Sequence, residues 1–330
     1  MAGLRVLVVT NMYPTVDMPA FGTFVHDQVA ALRRAGTEVD VLFINGRRSK
    51  WNYIWALPRL WHALRQRHYD VIHAHYVLSG VVARAQLGTK LVLTHHGCEV
   101  LGYPRWQTWL AHATTGLPDL IIYTAERMRR ALKDSDGWVI PCGVDLERFA
   151  PRPRAEVRRE LGLKLDRPLV LWAGEHWRPE KRFWLAEQTM EQLKRHVPEA
   201  ELILLSGKPH AVVPLYMNAC DALLLTSWLE GSPMVVKEAM ACNLPIVSVD
   251  VGDVAEVIAG TPPCSLAEPD PQQLALKLAA ILRDPCRTTG RQRMGHLDHD
   301  GIAHRILQAY AQALSPRGAR LRCGQRPAGS

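Results

Sequence analysis

Short apolar runs alternate with longer polar-and-apolar stretches of helical period along most of the chain. Residues 4–10 are a continuous apolar run, the pattern of a parallel strand covered on both faces. A loop rich in Pro and Gly follows at 11–23, then a helix-like stretch from Phe24 to Ala35 that Gly36 stops. Residues 39–44, 71–75, 91–94, 120–124 and 138–141 repeat the strand signal. After a stretch at 151–168 rich in Pro and Arg, a second series begins: strands at 169–173, 201–206, 222–226 and 245–249, with helices near 183–195 and from Pro233. Helix-like residues at 271–283 and 301–314 close it.

This alternation predicts an α/β protein of two Rossmann-like domains, 1–150 and 169–314, joined by a linker at 151–168. The last helix is able to return to the first domain. Ligands are expected in the cleft between the carboxyl ends of the two sheets. No G-x-G-x-x-G is present, and residues 315–330, rich in Arg, Gly and Pro, read as a disordered tail.

Composition narrows the class. With 48% apolar and 22% charged residues, the chain reads as a globular protein, and no run approaches the length that spans a bilayer. The beginning of the chain reads as a first strand, too short for a secretory signal. Seven scattered cysteines without a C-x-x-C pair predict a reducing, cytoplasmic setting with neither a disulfide framework nor a zinc site. Residues 1–165 hold 22 Lys/Arg against 14 Asp/Glu, whereas 166–330 hold 18 of each. No nucleic-acid recognition motif accompanies the basic half. Within it, residues 47–67 mix Trp, Tyr and basic side chains, the types favoured at a bilayer surface. A helix from Pro58 onward would put Leu57, Trp61 and Leu64 near one face. That segment predicts peripheral docking on an anionic membrane, its inner face for a cytoplasmic protein; packing on the first sheet is the alternative.

The richest chemistry lies between Thr226 and Cys242. Gly231 and Ser232 turn the chain, and Pro233 opens a helix whose first amides are free. Such a helix start carries about half a positive charge and attracts phosphates. Glu230 precedes it, and Glu238 follows about a turn and a half later. A diphosphate site between two acceptors for hydroxyls suits a sugar nucleotide. Two D-x-D triplets, Asp134–Asp136 and Asp298–Asp300, sit in polar, turn-like surroundings and read as solvated loops rather than metal ligands. His73 and His75 share one face of a strand and read as packing residues.

Glu230 and Glu238 form an E-x7-E pair within EGSPMVVKEAMA, and four further stretches occur in order: VIHAH at 71–75, THHGCE at 94–99, VIPCGVD at 139–145 and PEK at 179–181. Together they resemble glycosyltransferase family 4, retaining enzymes of GT-B fold, in particular members of bacterial capsule and teichuronic-acid type. The resemblance implies that His96, Glu230 and Lys181 are the catalytic set, with Glu230 orienting the transferred sugar. It implies a donor site of Glu238 on the ribose, Gly22, Arg178, and the turn of Ser232, Pro233, Met234 and Val235 on the diphosphate. His95 and Glu99 would lie on the acceptor side. Transfer would proceed on one face, with the leaving diphosphate helping to deprotonate the acceptor and without a cofactor or bound metal. The partners implied are a nucleotide-sugar donor and a glycan or lipid-linked acceptor of bacterial envelope polysaccharide synthesis.

Two departures from the family pattern stand out. Glu175 occupies the position where many members carry an arginine facing the diphosphate. A charge pair about 5 Å apart is worth roughly 3 kcal/mol at an effective dielectric of 20, so Arg178 or His176 has to compensate. The chain is also short between Leu205 and Tyr216, where the family inserts a further strand and helix that touch the nucleotide base. The base therefore stays open, as do two other readings: a sugar-nucleotide epimerase, and a non-catalytic binding relative.

Overall fold

The structure, a computed structural model, describes residues 3–19, 21–102 and 104–315. The tail predicted at 315–330 falls outside them except for Ser315. Six strands, β1 (Arg5–Thr10), β2 (Glu38–Phe43), β3 (Val71–His75), β4 (Lys90–His95), β5 (Leu120–Tyr123) and β6 (Trp138–Val139), form a sheet of order β2-β1-β3-β4-β5-β6. Five more, β7 (Leu169–Ala173), β8 (Glu201–Leu205), β9 (Ala222–Leu225), β10 (Ile246–Ser248) and β11 (Ser265–Leu266), form a second of order β11-β10-β9-β7-β8. Every pairing is parallel.

Burial on both faces explains why the strands read as unbroken apolar runs. On β1, Val6 and Val8 join the core that holds Val25 and Val29 of the helix Thr23–Arg34. Leu7 and Val9 pack instead with Ala56 and Leu60 of the helix Asn52–Gln66. Each fully buried Val or Leu contributes about 1.5–3 kcal/mol relative to exposure. Strand order reverses between β1 and β3 and again between β7 and β9. The crevices beyond the carboxyl ends of these pairs are where such sheets bind ligands.

Two local expectations change. The stretch read as a linker contains the helix Arg154–Glu160, with Val157 and Arg158 buried. Arg158 is drawn inside because it donates to the carbonyls of Leu165, Arg167 and Ala219 and to Asp221. The basic aromatic segment forms its helix from Asn52, ahead of Pro58, so Leu57 and Leu64 pack inward. Trp51, Ile54 and Trp55 are the exposed apolar side chains at its start, while Trp61 donates from Nε1 to the carbonyl of Ala85 at 2.9 Å. Both D-x-D triplets serve the backbone or surface: Asp134 accepts from Tyr123 and from the amides of Asp136 and Gly137, Asp298 caps the helix His299–Leu314, and Asp300 pairs with Arg34.

The helix His299–Leu314 packs against Thr23–Arg34, and its buried Tyr310 hydroxyl meets His73 Nδ1 at 2.7 Å. The chain thereby ties its far end to the first sheet.

Candidate functional site

The two sheets face one another across a cavity of about 190 Å³ lined by Phe24, Tyr76, His96, Cys98, Cys142, Arg178, Glu180, Lys181 and the turn from Leu229 to Met234. Loops after β3 and β4 supply one wall; loops after β7 and β9 supply the other. The walls meet backbone to backbone. A Cβ on Gly231 would lie 1.8 Å from the carbonyl oxygen of His96, and one on Gly97 would lie 2.7 Å from the amide of Gly231. Glycine is required on both sides of this contact.

On the second-sheet wall, Lys181 donates to Glu230 at 2.6 Å, so the catalytic pair implied by the resemblance is joined directly. The loop carrying Lys181 is laced to the end of β9. Thr226 Oγ1 donates to the Lys181 carbonyl at 2.8 Å, Arg182 donates to the Thr226 carbonyl at 2.7 Å, and the Trp228 amide donates to the Glu180 carbonyl at 2.9 Å. Arg178 lines the cavity with Nε on Glu180 at 2.7 Å and Nη1 3.4 Å from Glu175. The cation three residues after Glu175 thus lines the cavity, where it is shared between Glu180 and Glu175.

Pro233 sits just outside the helix Met234–Ala241, as its N-cap, without a side-chain cap. Among the described residues the amides of Met234 and Val235 have no acceptor, as an anion site requires. Beneath this turn lies a network that sequence reasoning missed. Lys237 is fully buried and donates to Asp253 at 2.9 Å and to Ser232 Oγ, which itself donates to Asp253 at 2.6 Å. Its sequence signal is a lysine in a helix that is apolar apart from it and Glu238.

On the first-sheet wall, of the two adjacent histidines, His96 lines the cavity. It stacks on Tyr76 at 4.9 Å, meets Phe24 at 4.9 Å, and shares a hydrogen bond of 2.9 Å with His75 Nδ1. Burial, then the neighbouring imidazoles, holds His96 well below the usual histidine range, and burial takes His75 to about 3. Both rings are neutral at physiological pH. Tyr76, another residue missed, keeps a φ of 70°, a region costly for a side chain and found at functional sites. Burial pushes the Cys98 thiol to about 12 and that of Cys142 to about 11, so neither supplies a thiolate.

Five expected site residues stand outside the cavity. His95 and Glu99 are fully buried behind it: His95 stacks on Tyr123, and Glu99 accepts the His96 amide at 2.7 Å, which fixes the backbone of the cavity histidine. Gly22 is glycine because a Cβ there would lie 2.4 Å from the carbonyl carbon of Met12, at a φ of 73°. Val235 is partly buried on the helix flank. Glu238 is buried and accepts from His210 Nε2 at 2.9 Å. A larger cavity of about 510 Å³ adjoins Asp253, between Val139 and Pro141 on one side and Val257, Met294 and Leu297 on the other. It holds none of the expected site residues, although Val139 and Pro141 belong to the VIPCGVD stretch. Among the described residues no group of three or more His, Cys, Asp or Glu side chains is placed to hold a metal ion.

Comparison with known proteins gives the family. A family model described as Glycosyltransferase Family 4 matches residues 1–148, and one described as Glycosyl transferases group 1 matches residues 156–296. The chain belongs to glycosyltransferase family 4. It is a retaining glycosyltransferase that uses a nucleotide-sugar donor. Among curated relatives, it is 26% identical to TuaC of Bacillus subtilis, a candidate teichuronic acid biosynthesis glycosyltransferase, over 77% of this chain and 83% of that one. It is 28% identical to the D-inositol 3-phosphate glycosyltransferase of Xylanimonas cellulosilytica, over 76% and 74%. Its GT-B fold matches sucrose-phosphate synthase of Thermosynechococcus elongatus with a TM-score of 0.78 at 22% identity, covering 93% of this chain and 98% of that one. HepE of Anabaena, in complex with UDP-glucose, matches with a TM-score of 0.69 at 17% identity, over 94% and 100%. The epimerase reading falls with the family assignment.

Proposed function

We propose that this family 4 enzyme transfers a hexose from a nucleoside diphosphate sugar to a glycan or lipid-linked acceptor in bacterial envelope polysaccharide synthesis. The observation that carries the reading is the joined Lys181–Glu230 pair beside the free amides of Met234 and Val235, facing His96 across one cavity. Lys181 and the helix start would stabilise the charge developing on the departing diphosphate. Glu230 would accept from hydroxyls of the transferred sugar. Neutral His96, held by His75 and stacked on Tyr76, would line the reacting sugar without adding charge. Phosphate charge is met by protein cations and amides, so the reading includes transfer without a divalent metal; full activity in EDTA is expected. Support for the pathway comes from the likeness to TuaC, and for the donor class from the UDP-glucose complex of HepE.

A thermal-shift screen of UDP- and GDP-sugars, followed by mass analysis of the product, tests the reading. A product heavier than the acceptor by one hexose is expected; nucleotide release without any glycosylated product would overturn it.

The acceptor reading extends to a membrane surface. Among the described residues no helix is long and apolar enough to cross a membrane. Trp51, Ile54 and Trp55 are nevertheless exposed, with Trp55 at 66%, and the sequence around them is basic. Trp106 and Trp109, one turn apart on the helix Arg105–Thr114, are exposed as well. The helix Val77–Ala83 touches both tryptophan-bearing helices, which places the two sets on neighbouring elements. Trp55→Ser and Trp109→Ser together should reduce sedimentation with anionic liposomes relative to neutral ones; equal sedimentation of the wild-type protein with both would retire docking.

A further inference from the structure

The brevity of the chain after β8 has a structural consequence at Glu238. Instead of an inserted strand and helix, the turn His210–Val212 follows β8 closely and leads into the helix Val213–Ala219. It brings the His210 ring onto the Glu238 carboxylate, with Nε2 2.9 Å from Oε1. Across the ring, Arg148 Nη1 lies 3.1 Å from Nδ1, and the Phe149 ring packs at 5.6 Å. A guanidinium only donates, so Nδ1 accepts and the ring proton sits on Nε2, aimed at Glu238. Among the described residues Oε1 is the Glu238 oxygen that receives a hydrogen bond, and Oε2 receives none.

We propose that His210 is a positioning residue for the donor: neutral, it fixes Glu238 so that Oε2 meets the ribose hydroxyls; protonated, it locks the carboxylate against them. The inference rests on the reading of Glu238 as the ribose acceptor. The charged groups facing His210 are Glu238, Arg148 on the chain after β6, and Asp27 on the helix Thr23–Arg34. The hydrogen bond to Glu238, opposed by burial, raises His210 above its ordinary value, so the ring holds its second proton to higher pH than a free histidine does. Protonation puts a second N–H on Nδ1, facing the N–H of Arg148, and that contact is lost. The imidazolium then holds Glu238 by a charge-assisted bond, roughly twice as strong as the neutral one. Donor affinity falls as pH falls.

Calorimetric binding of UDP-glucose and GDP-mannose to the full chain at pH 6 and pH 8 tests this, because the diphosphate of a nucleotide sugar does not titrate in that range. Wild-type protein should bind the preferred probe about tenfold tighter at pH 8. His210→Gln keeps a donor for Glu238 and should retain the pH 8 affinity while losing most of the pH dependence. His210→Ala should bind about tenfold more weakly at pH 8, again without pH dependence. Unchanged affinity and pH response in His210→Ala would overturn the inference. Glu238→Ala separates the two levels: if it binds like wild type, the ribose reading fails as well. Strong loss in Glu238→Ala with none in His210→Ala removes the inference alone.

Discussion

A single methyl group at Gly231 should separate closure of the cleft from folding. Its Cβ would sit 1.8 Å from His96 O, 2.6 Å from His96 C and 3.0 Å from the Gly97 Cα. Ordinary contact begins at 3.4 Å, so the nearest approach is about 1.6 Å too short. All three atoms are backbone, and no rotamer relieves the overlap. The walls have to part by a comparable distance, which moves His96 away from Lys181 and Glu230. A displacement of about 1 Å in a positioned site costs about a hundredfold in rate. Gly231→Ala should therefore lower kcat/KM for nucleotide release at least about a hundredfold. Its melting temperature should move by no more than about 3 °C, since the overlapping atoms are cleft backbone and no core side chain is displaced. Gly88→Ala is the control, because nothing lies within 4 Å of its added Cβ. Near-wild-type turnover in Gly231→Ala would refute the reasoning, and so would its failure to fold.

Three further outcomes follow from the site. Lys181→Ala removes the partner of Glu230 and should reduce kcat/KM for nucleotide release about a hundredfold or more, as loss of one charge-stabilising donor typically does; steady-state turnover within threefold of wild type contradicts the assignment. Lys237→Met strands the buried Asp253 carboxylate and should cost about 3–5 kcal/mol in urea unfolding, with partial recovery when Asp253→Asn is added. Equal stability of Lys237→Met and wild type would show that the ammonium is dispensable. His73, His75 and His96 all titrate below their unfolded value, so the unfolded chain binds more protons; their contribution is complete above about pH 6.5 and declines as pH falls toward 3. The slope is about 1.4 kcal/mol per pH unit for each histidine, and a urea midpoint that is flat from pH 7 to pH 5 would rule it out.

Much of this protein was decided locally, and the sequence shows it. Strands buried on both faces are mostly apolar, so the runs that became β1, β4 and β7 were legible. The turn before Met234 was legible too, because Gly, Ser and Pro at a helix start each have one plain use. The resemblance, rather than any spacing, told the cavity histidine from its neighbour: His96 directly precedes Gly97, as the family pattern has it.

Tertiary closure decided the rest. Arg158 reads as solvated in a stretch rich in Pro and Arg, yet carbonyls and Asp221 from separate segments converge on it. Lys237 reads as one more surface lysine until Ser232 and Asp253 are folded over it. His210 and Glu238 lie 28 residues apart, and neither periodicity nor turn chemistry reveals that they touch. Local patterns record how each segment is buried. Which segments meet depends on strand order and on the two walls closing at Gly97 and Gly231, and those are properties of the whole chain.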